Sequence, residues 1–153
     1  MNLFSEAELI SFGKKYGQKF AKELAKNHRP IIVELVGDVG VGKTTFTRGI
    51  AEGLKVINGP VTSPSFTICR RYFFAAGNDS GVLSHYDFYR LDDPGLMAED
   101  LAESIAAENS ITIIEWGESI TDILPEDHLI LRFTLNDDET RTITETSPKR
   151  SDK

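Results

Sequence analysis

The sequence predicts an α/β fold of three layers, in which a central, mostly parallel sheet lies between helices and ends in a C-terminal β-hairpin. Three observations carry that expectation. Two apolar runs, "IIVELV" at 31–36 and "ITIIEW" at 111–116, lack the polar alternation of a half-exposed strand, so both read as strands covered on two faces. Helix-like stretches precede and follow the first of these runs. Near the C-terminus, "HLILRFTL" and "TRTITET" flank "NDDE" and read as a hairpin. At 153 residues the chain suits one domain, taken as 1–146, with 147–153 ("SPKRSDK") as a solvated tail.

Each element has a local reason. "SEAE" at Ser5–Glu8 fits a capping box, and Leu9, Phe12, Tyr16, Phe20 and Leu24 then recur at three- and four-residue steps, the pattern of an amphipathic helix. The strand at 31–36 follows Pro30, and a second helix is expected from about Lys43 to Glu52, with Gly53 near its end. "VINGPVTSPSF" at 56–66 is rich in turn formers and reads as a loop carrying hydroxyls. "TICRRYFF" and "VLSHYDFYR" read as two strands joined by "AAGNDSG", and "LMAEDLAES" as a helix after "DDPG". The sequence shows no internal repeat, long low-complexity tract or linker.

Composition excludes several classes. With 40% hydrophobic and 27% charged residues, the chain reads as a soluble globular protein, and no apolar run approaches bilayer length. Glu6 and Glu8 interrupt the stretch where a secretory peptide needs an apolar core. A single cysteine, Cys69, cannot form an internal disulfide, which agrees with the reducing cytoplasm expected as its location. The net charge of -7 argues against a broad basic surface for nucleic acid, so any service to RNA is expected to run through another protein.

The stretch "GDVGVGKTT" decides the chemistry. Gly37, Gly42, Lys43 and Thr44 match G-x-x-x-x-G-K-[ST] between a strand and a helix, the setting of a P-loop. Gly37, Gly40 and Gly42 allow close backbone approach, so the N–H groups of the loop, from Gly37 through Asp38, Val39, Gly40, Val41 and Gly42 to Thr45, can turn toward phosphate oxygens. The helix start adds its positive dipole end. Lys43 is expected to reach the β- and γ-phosphates and the Thr44 hydroxyl to take one Mg²⁺ position.

Two acids complete a candidate site. Glu115 ends "ITIIE", which puts it at the carboxyl edge of a parallel sheet, where open α/β folds place ligands, and Asp87 in "HYDFYR" also ends an apolar-rich strand. A hard cation prefers oxygen ligands, so Asp87 suits Mg²⁺ directly or through water, and Glu115 suits either the orientation of water or the metal shell. Lys43, Asp87 and Glu115 are the catalytic candidates; Thr44, Asp87 and Glu115 are the metal candidates. Thr62, Ser63 and Ser65, around Pro64, read either as a γ-phosphate-sensing segment or as an ordinary proline turn. Trp116 is either a core plug or an aromatic wall of the site. Arg70, Arg71 and Arg90 include a candidate phosphate-binding arginine, although arginines flanking strands are usually solvated. His85 is assigned no catalytic role.

"GDVGVGKTT", "TSPSF", "HYDFYR" and "IIEWG", in that order within a short chain, resemble the TsaE (YjeE) family of small bacterial P-loop ATPases over roughly Leu3 to Leu135. The resemblance implies ATP and Mg²⁺ as cofactors. It also implies a role as energy-coupling subunit beside TsaD and TsaB in making threonylcarbamoyladenosine in tRNA, with tRNA met only through that complex and no membrane involved. Residue by residue, it implies that Lys43 and Thr44 take the phosphate and Mg²⁺ positions, Asp87 and Glu115 are the two motif acids, and Thr62 and Ser63 form the switch-like loop. The chain departs from the family pattern at Val39 and Val41, in "CRRY", and in "AAGNDSG", which reads as a slightly enlarged hairpin loop. A small-molecule kinase would share the P-loop but needs an acceptor pocket and usually an arginine-bearing lid, and no lid-length insertion is evident. A GTPase would normally carry an asparagine–lysine–x–aspartate string, which is absent, so ATP is the expected nucleotide. A nucleotide-sensing module without turnover stays open beside the kinase.

Overall fold

In the computed structural model, which describes residues 2–62, 68–89 and 95–146, the chain order is β1 (Asn2–Phe4), α1 (Glu6–Asn27), β2 (Ile31–Val36), α2 (Lys43–Leu54), β3 (Cys69–Ala76), β4 (Asp79–Asp87), α3 (Leu96–Ala106), β5 (Ser110–Glu115), a kinked 3-10 segment (Gly117–Ile123), β6 (Leu129–Leu135) and β7 (Arg141–Thr146). The strands form one sheet in the order β1-β7-β6-β2-β5-β4-β3. Its centre is parallel, with β2 between β6 and β5 and β4 beyond β5; β3, β7 and β1 add antiparallel pairings at the edges. The mostly parallel sheet and the C-terminal hairpin of β6 and β7 are as the sequence predicts.

Strand alternation divides the core in two. Val33 and Leu35 of β2, Leu83 of β4 and Ile111 and Ile113 of β5 pack with α1 and α2 on one face. Ile32, Tyr86 and Ile114 turn to the other face, against Leu101 of α3 and Ile120 and Leu124 in and after the 3-10 segment. Both faces of β2 and β5 are therefore covered, which accounts for their unbroken apolar character.

Ser5 caps α1 by accepting the Glu8 N–H at 3.3 Å, and its hydroxyl donates to the Glu8 carboxylate at 2.9 Å. Against α1 lies α2, at a separation set by glycines spaced four apart on each helix. A Cβ at Gly17 would lie 2.2 Å from the Ile50 carbonyl oxygen, and one at Gly49 2.3 Å from that of Ile10. Gly13 and Gly53 are equally tight. Only bare backbone fits there, so the glycine read as a helix end is part of the helix–helix contact that places α2. Gly17→Ala is expected to force the helices apart and destabilise the fold by roughly 1–3 kcal/mol, the usual range for overpacking, less the modest helix-propensity gain of alanine. A thermal melt would show it; an unchanged or higher Tm would refute the close-contact reading.

Three features differ from expectation. β1 and the 3-10 segment carry no periodic signal long enough to be recognised in the sequence. The stretch "AAGNDSG" forms no enlarged loop: Ala76 pairs with Asp79, leaving the two-residue turn Gly77-Asn78, in which Gly77 takes a φ of 64°. Gly81 lies within β4 opposite Phe74, where a Cβ would collide with the Phe74 ring. The tail at 147–153, Ser63, Ser65 and Arg90 lie outside the described residues.

Candidate functional site

β2 and α2 are joined at the carboxyl edge of the sheet by the glycine-rich loop. Gly40 and Gly42 have φ of 79° and 112°, values that L side chains rarely adopt, and no atom lies within 4 Å of where a Cβ on Gly40 would stand. The loop is thus a backbone-lined cradle leading into the N-terminus of α2, a helix of 12 residues, and this arrangement suits phosphate oxygens. Its opening is a cleft of about 380 Å³. Val39, Gly40, Gly42, Lys43, Thr44 and Thr45 line the floor; Asp87, Tyr89, Glu115 and Trp116 stand on one side; Glu6 and Arg141 stand on the other. Gly37 and Asp38 line a smaller neighbouring recess with Trp116 and Glu118.

Lys43 is only 5% exposed. Its Nζ donates to the Gly37 carbonyl at 2.5 Å and lies 4.1 Å from the centroid of the Trp116 ring, within cation–π range. Burial lowers its pKa, against the pull of Glu115, Asp87, Asp38 and Glu118, so the ammonium is held in a site where an anion would stabilise it. Trp116 reaches over Lys43 because its backbone is left-handed, with φ 59° and ψ 52°, a strained conformation for a bulky residue. Its ring also packs on Tyr89, with centroids 4.8 Å apart. Trp116 is therefore a wall of the cleft.

Asp87 and Glu115 are register partners on the neighbouring parallel strands β4 and β5. Alternation turns both toward the face that α2 covers, beside Lys43. Asp87 Oδ1 accepts the Tyr89 N–H at 2.9 Å. Burial raises the Asp87 pKa, with the neighbouring Glu115 adding to it, against the Tyr89 N–H, His85 and Lys43, which favour the carboxylate. Among the described residues no group of three or more His, Cys, Asp or Glu side chains forms a metal cage. Mg²⁺ usually keeps waters and is held by one or two carboxylates together with substrate phosphates. Two carboxylates, the Thr44 hydroxyl and an open phosphate cradle fit the MgATP expected from the sequence.

Other candidates lie elsewhere. Val41 does not line the cleft; its side chain is buried and its carbonyl accepts from Arg141 Nε at 3.2 Å. Thr62 does not line the cleft; its N–H donates to the Tyr72 hydroxyl at 3.2 Å. Arg70 is exposed, and Arg71 binds Asp100 at 2.6 Å and Tyr86 at 3.1 Å on the α3 side of the sheet.

The sequence reading missed Glu6 and Arg141, brought to the cleft when β7 returns beside β6 and α1 starts above it. It also assigned nothing to His85, whose Nε2 lies 2.6 Å from Glu115 Oε2. Spacing offered one clue, since residues 85 and 87 share a strand face.

Behind the Trp116 corner, His128 bridges two acceptors. Its Nε2 lies 3.2 Å from Glu34 Oε1 and its Nδ1 2.6 Å from the Pro125 carbonyl, while Glu34 Oε2 lies 3.1 Å from where a Cβ on Gly117 would be. With an acceptor at each nitrogen, the doubly protonated ring is satisfied, and the bond to Glu34 raises its pKa above the ordinary 6.5. A raised folded-state pKa adds stability that is fully present below pH 6.5 and lost as pH rises through the folded value. The Tm advantage of the wild type over His128→Gln should shrink across that window. A pH-independent difference would contradict the pairing.

The chain matches the family model described as threonylcarbamoyl adenosine biosynthesis protein TsaE over residues 5–143. Among curated relatives, the tRNA threonylcarbamoyladenosine biosynthesis protein TsaE of Haemophilus influenzae is 37% identical over 126 residues, covering 81% of this chain and 77% of the relative. That of Streptomyces coelicolor is 40% identical over 120 residues, covering 78% and 77%. The crystal structure of Bacillus subtilis YdiB superposes with a TM-score of 0.58 at 29% identity, covering 89% of this chain and 81% of that one.

Proposed function

The chain belongs to the TsaE family of threonylcarbamoyl adenosine biosynthesis proteins, and from that premise we propose that it is a Mg²⁺-dependent ATPase subunit supporting TsaD and TsaB in tRNA modification in the cytoplasm. One observation carries the reading: a P-loop cradle with a buried lysine faces two carboxylates on adjacent strand ends across a cleft of about 380 Å³. Among the described residues no helix is long and apolar enough to cross a membrane, and the net charge of -7 favours contact with tRNA through partner proteins.

The residues have separable tasks. Backbone N–H groups of the 37–42 loop and the start of α2 hold the phosphates, and Lys43 exchanges the Gly37 carbonyl for a phosphate oxygen. Thr44 and Asp87 would hold Mg²⁺, whose charge offsets that of the β- and γ-phosphates when bound. Glu115, one strand over from Asp87, orients the attacking water at the γ-phosphate. Trp116 and Tyr89 shield that end of the cleft. Among the described residues its other wall carries Glu6 and Arg141, and we read the open cleft as one that binds nucleotide more readily than it turns it over alone. A partner docked over the cleft would exclude water and order the missing charge.

Phosphate release from ATP tests this, with Mg²⁺ varied and TsaD–TsaB present or absent. Slow Mg²⁺-dependent release that the pair accelerates is the expected result. Binding without release under any condition would mark a sensing module, and transfer to a small acceptor would mark a kinase.

A further inference from the structure

We infer that His85 is a positioning residue that locks the Glu115 carboxylate in the orientation the site uses, an inference that rests on the hydrolytic reading above and extends it. The two side chains are 0% and 4% exposed, and His85 Nε2 lies 2.6 Å from Glu115 Oε2. In the parallel register His85 pairs with Ile113 and Asp87 with Glu115, so Glu115 has Asp87 directly beside it and His85 on the diagonal.

Among the described residues His85 makes no second side-chain hydrogen bond. Its Nδ1 is buried with no hydrogen-bond partner among the described residues, although buried polar groups are normally satisfied. Protonation of Nδ1 would bury an unpaired donor, which assigns the ring's proton to Nε2 and makes His85 the donor to Glu115. A histidine held only for packing would gain nothing from that orphan nitrogen, since an apolar side chain of similar volume fills the same space without one. Among the described residues its one side-chain hydrogen bond is to the catalytic candidate Glu115.

Glu115 needs such a tether. Its side chain has three rotatable torsions, ends at the sheet edge and faces the Asp87 carboxylate, whose like charge pushes it away. A donor on Oε2 fixes the carboxylate plane and leaves Oε1 for the cleft. Groups that orient a reactive side chain in this way typically contribute about 10- to 100-fold to function.

Three variants test the tether. His85→Leu keeps bulk and removes the donor; His85→Gln places an amide donor near the Nε2 position; His85→Asn places one near Nδ1, too short to reach. Phosphate release is measured under the conditions that give the wild type its highest rate. ATP binding is read separately from Trp116, the sole tryptophan, and folding from thermal melts. Leu and Asn should lower kcat about 10- to 100-fold with KM and ATP affinity within a few-fold of wild type, and Gln should recover most of the rate. Should Leu fail to fold, the contrast between Asn and Gln carries the same test. Wild-type kcat in the Leu or Asn variant, equal loss in Gln and Asn, or a change confined to KM would overturn the inference and leave the hydrolytic reading standing. A wild-type chain that binds ATP but never releases phosphate overturns both.

Discussion

Lys43→Ala is expected to weaken ATP binding by about 10- to 150-fold, the loss of a charge-assisted contact worth roughly 1.5–3 kcal/mol. The structure adds a reason for the size of the effect. The ammonium is already desolvated, resting on the Gly37 carbonyl and the Trp116 ring, so a phosphate oxygen meets a cation that has given up most of its water. The fold should survive, because the substitution removes a buried charge rather than a core anchor. Titration calorimetry in the presence of Mg²⁺ measures the loss, and equal affinity in mutant and parent would rule out the phosphate cradle.

Glu115→Gln should spare ATP binding and lower turnover by about 10²-fold or more, the scale on which a positioned acid–base group acts. Glutamine keeps the shape, and its amide oxygen can still accept from His85 Nε2, so the strand end remains in place while the carboxylate charge is lost. Asp87→Ala should instead raise the Mg²⁺ concentration needed for half-maximal turnover. Turnover against Mg²⁺ for both variants separates the roles. Exchanged phenotypes would exchange the assignments, and unchanged turnover in both would remove the two acids from the chemistry.

What was legible in the sequence was whatever chemistry lay contiguous in the chain or at a strand end. The P-loop occupies nine consecutive residues, and its flanks announce a buried strand and a helix, so Gly37 to Thr45 needed no tertiary information. Asp87 and Glu115 followed because an acid closing an apolar run falls at the sheet edge wherever the strand sits. That they are register partners depends on β4 lying beside β5, which no local pattern specifies. His85 stayed opaque for the same reason: its meaning is the bond to Glu115, and before strands are paired it resembles any packed histidine. Arg141 and Glu6 join the cleft only through the return of β7 and the entry of α1. The glycines of α1 and α2 are spaced four apart in the sequence, but their use appears only when the two backbones meet. Trp116 was left between plug and wall because the left-handed turn that swings it over Lys43 is a backbone choice a tryptophan does not advertise.

The central claim is that ATP turnover at this cleft drives tRNA modification in a multi-protein assembly. Its most direct test follows formation of the modified nucleoside over many turnovers in a mixture of this chain, TsaD, TsaB, tRNA, threonine, bicarbonate and ATP. Sustained product formation should require this chain and should fail when its Glu115→Gln form replaces it. Undiminished product over many turnovers without the chain, or with the Gln form, would contradict the account.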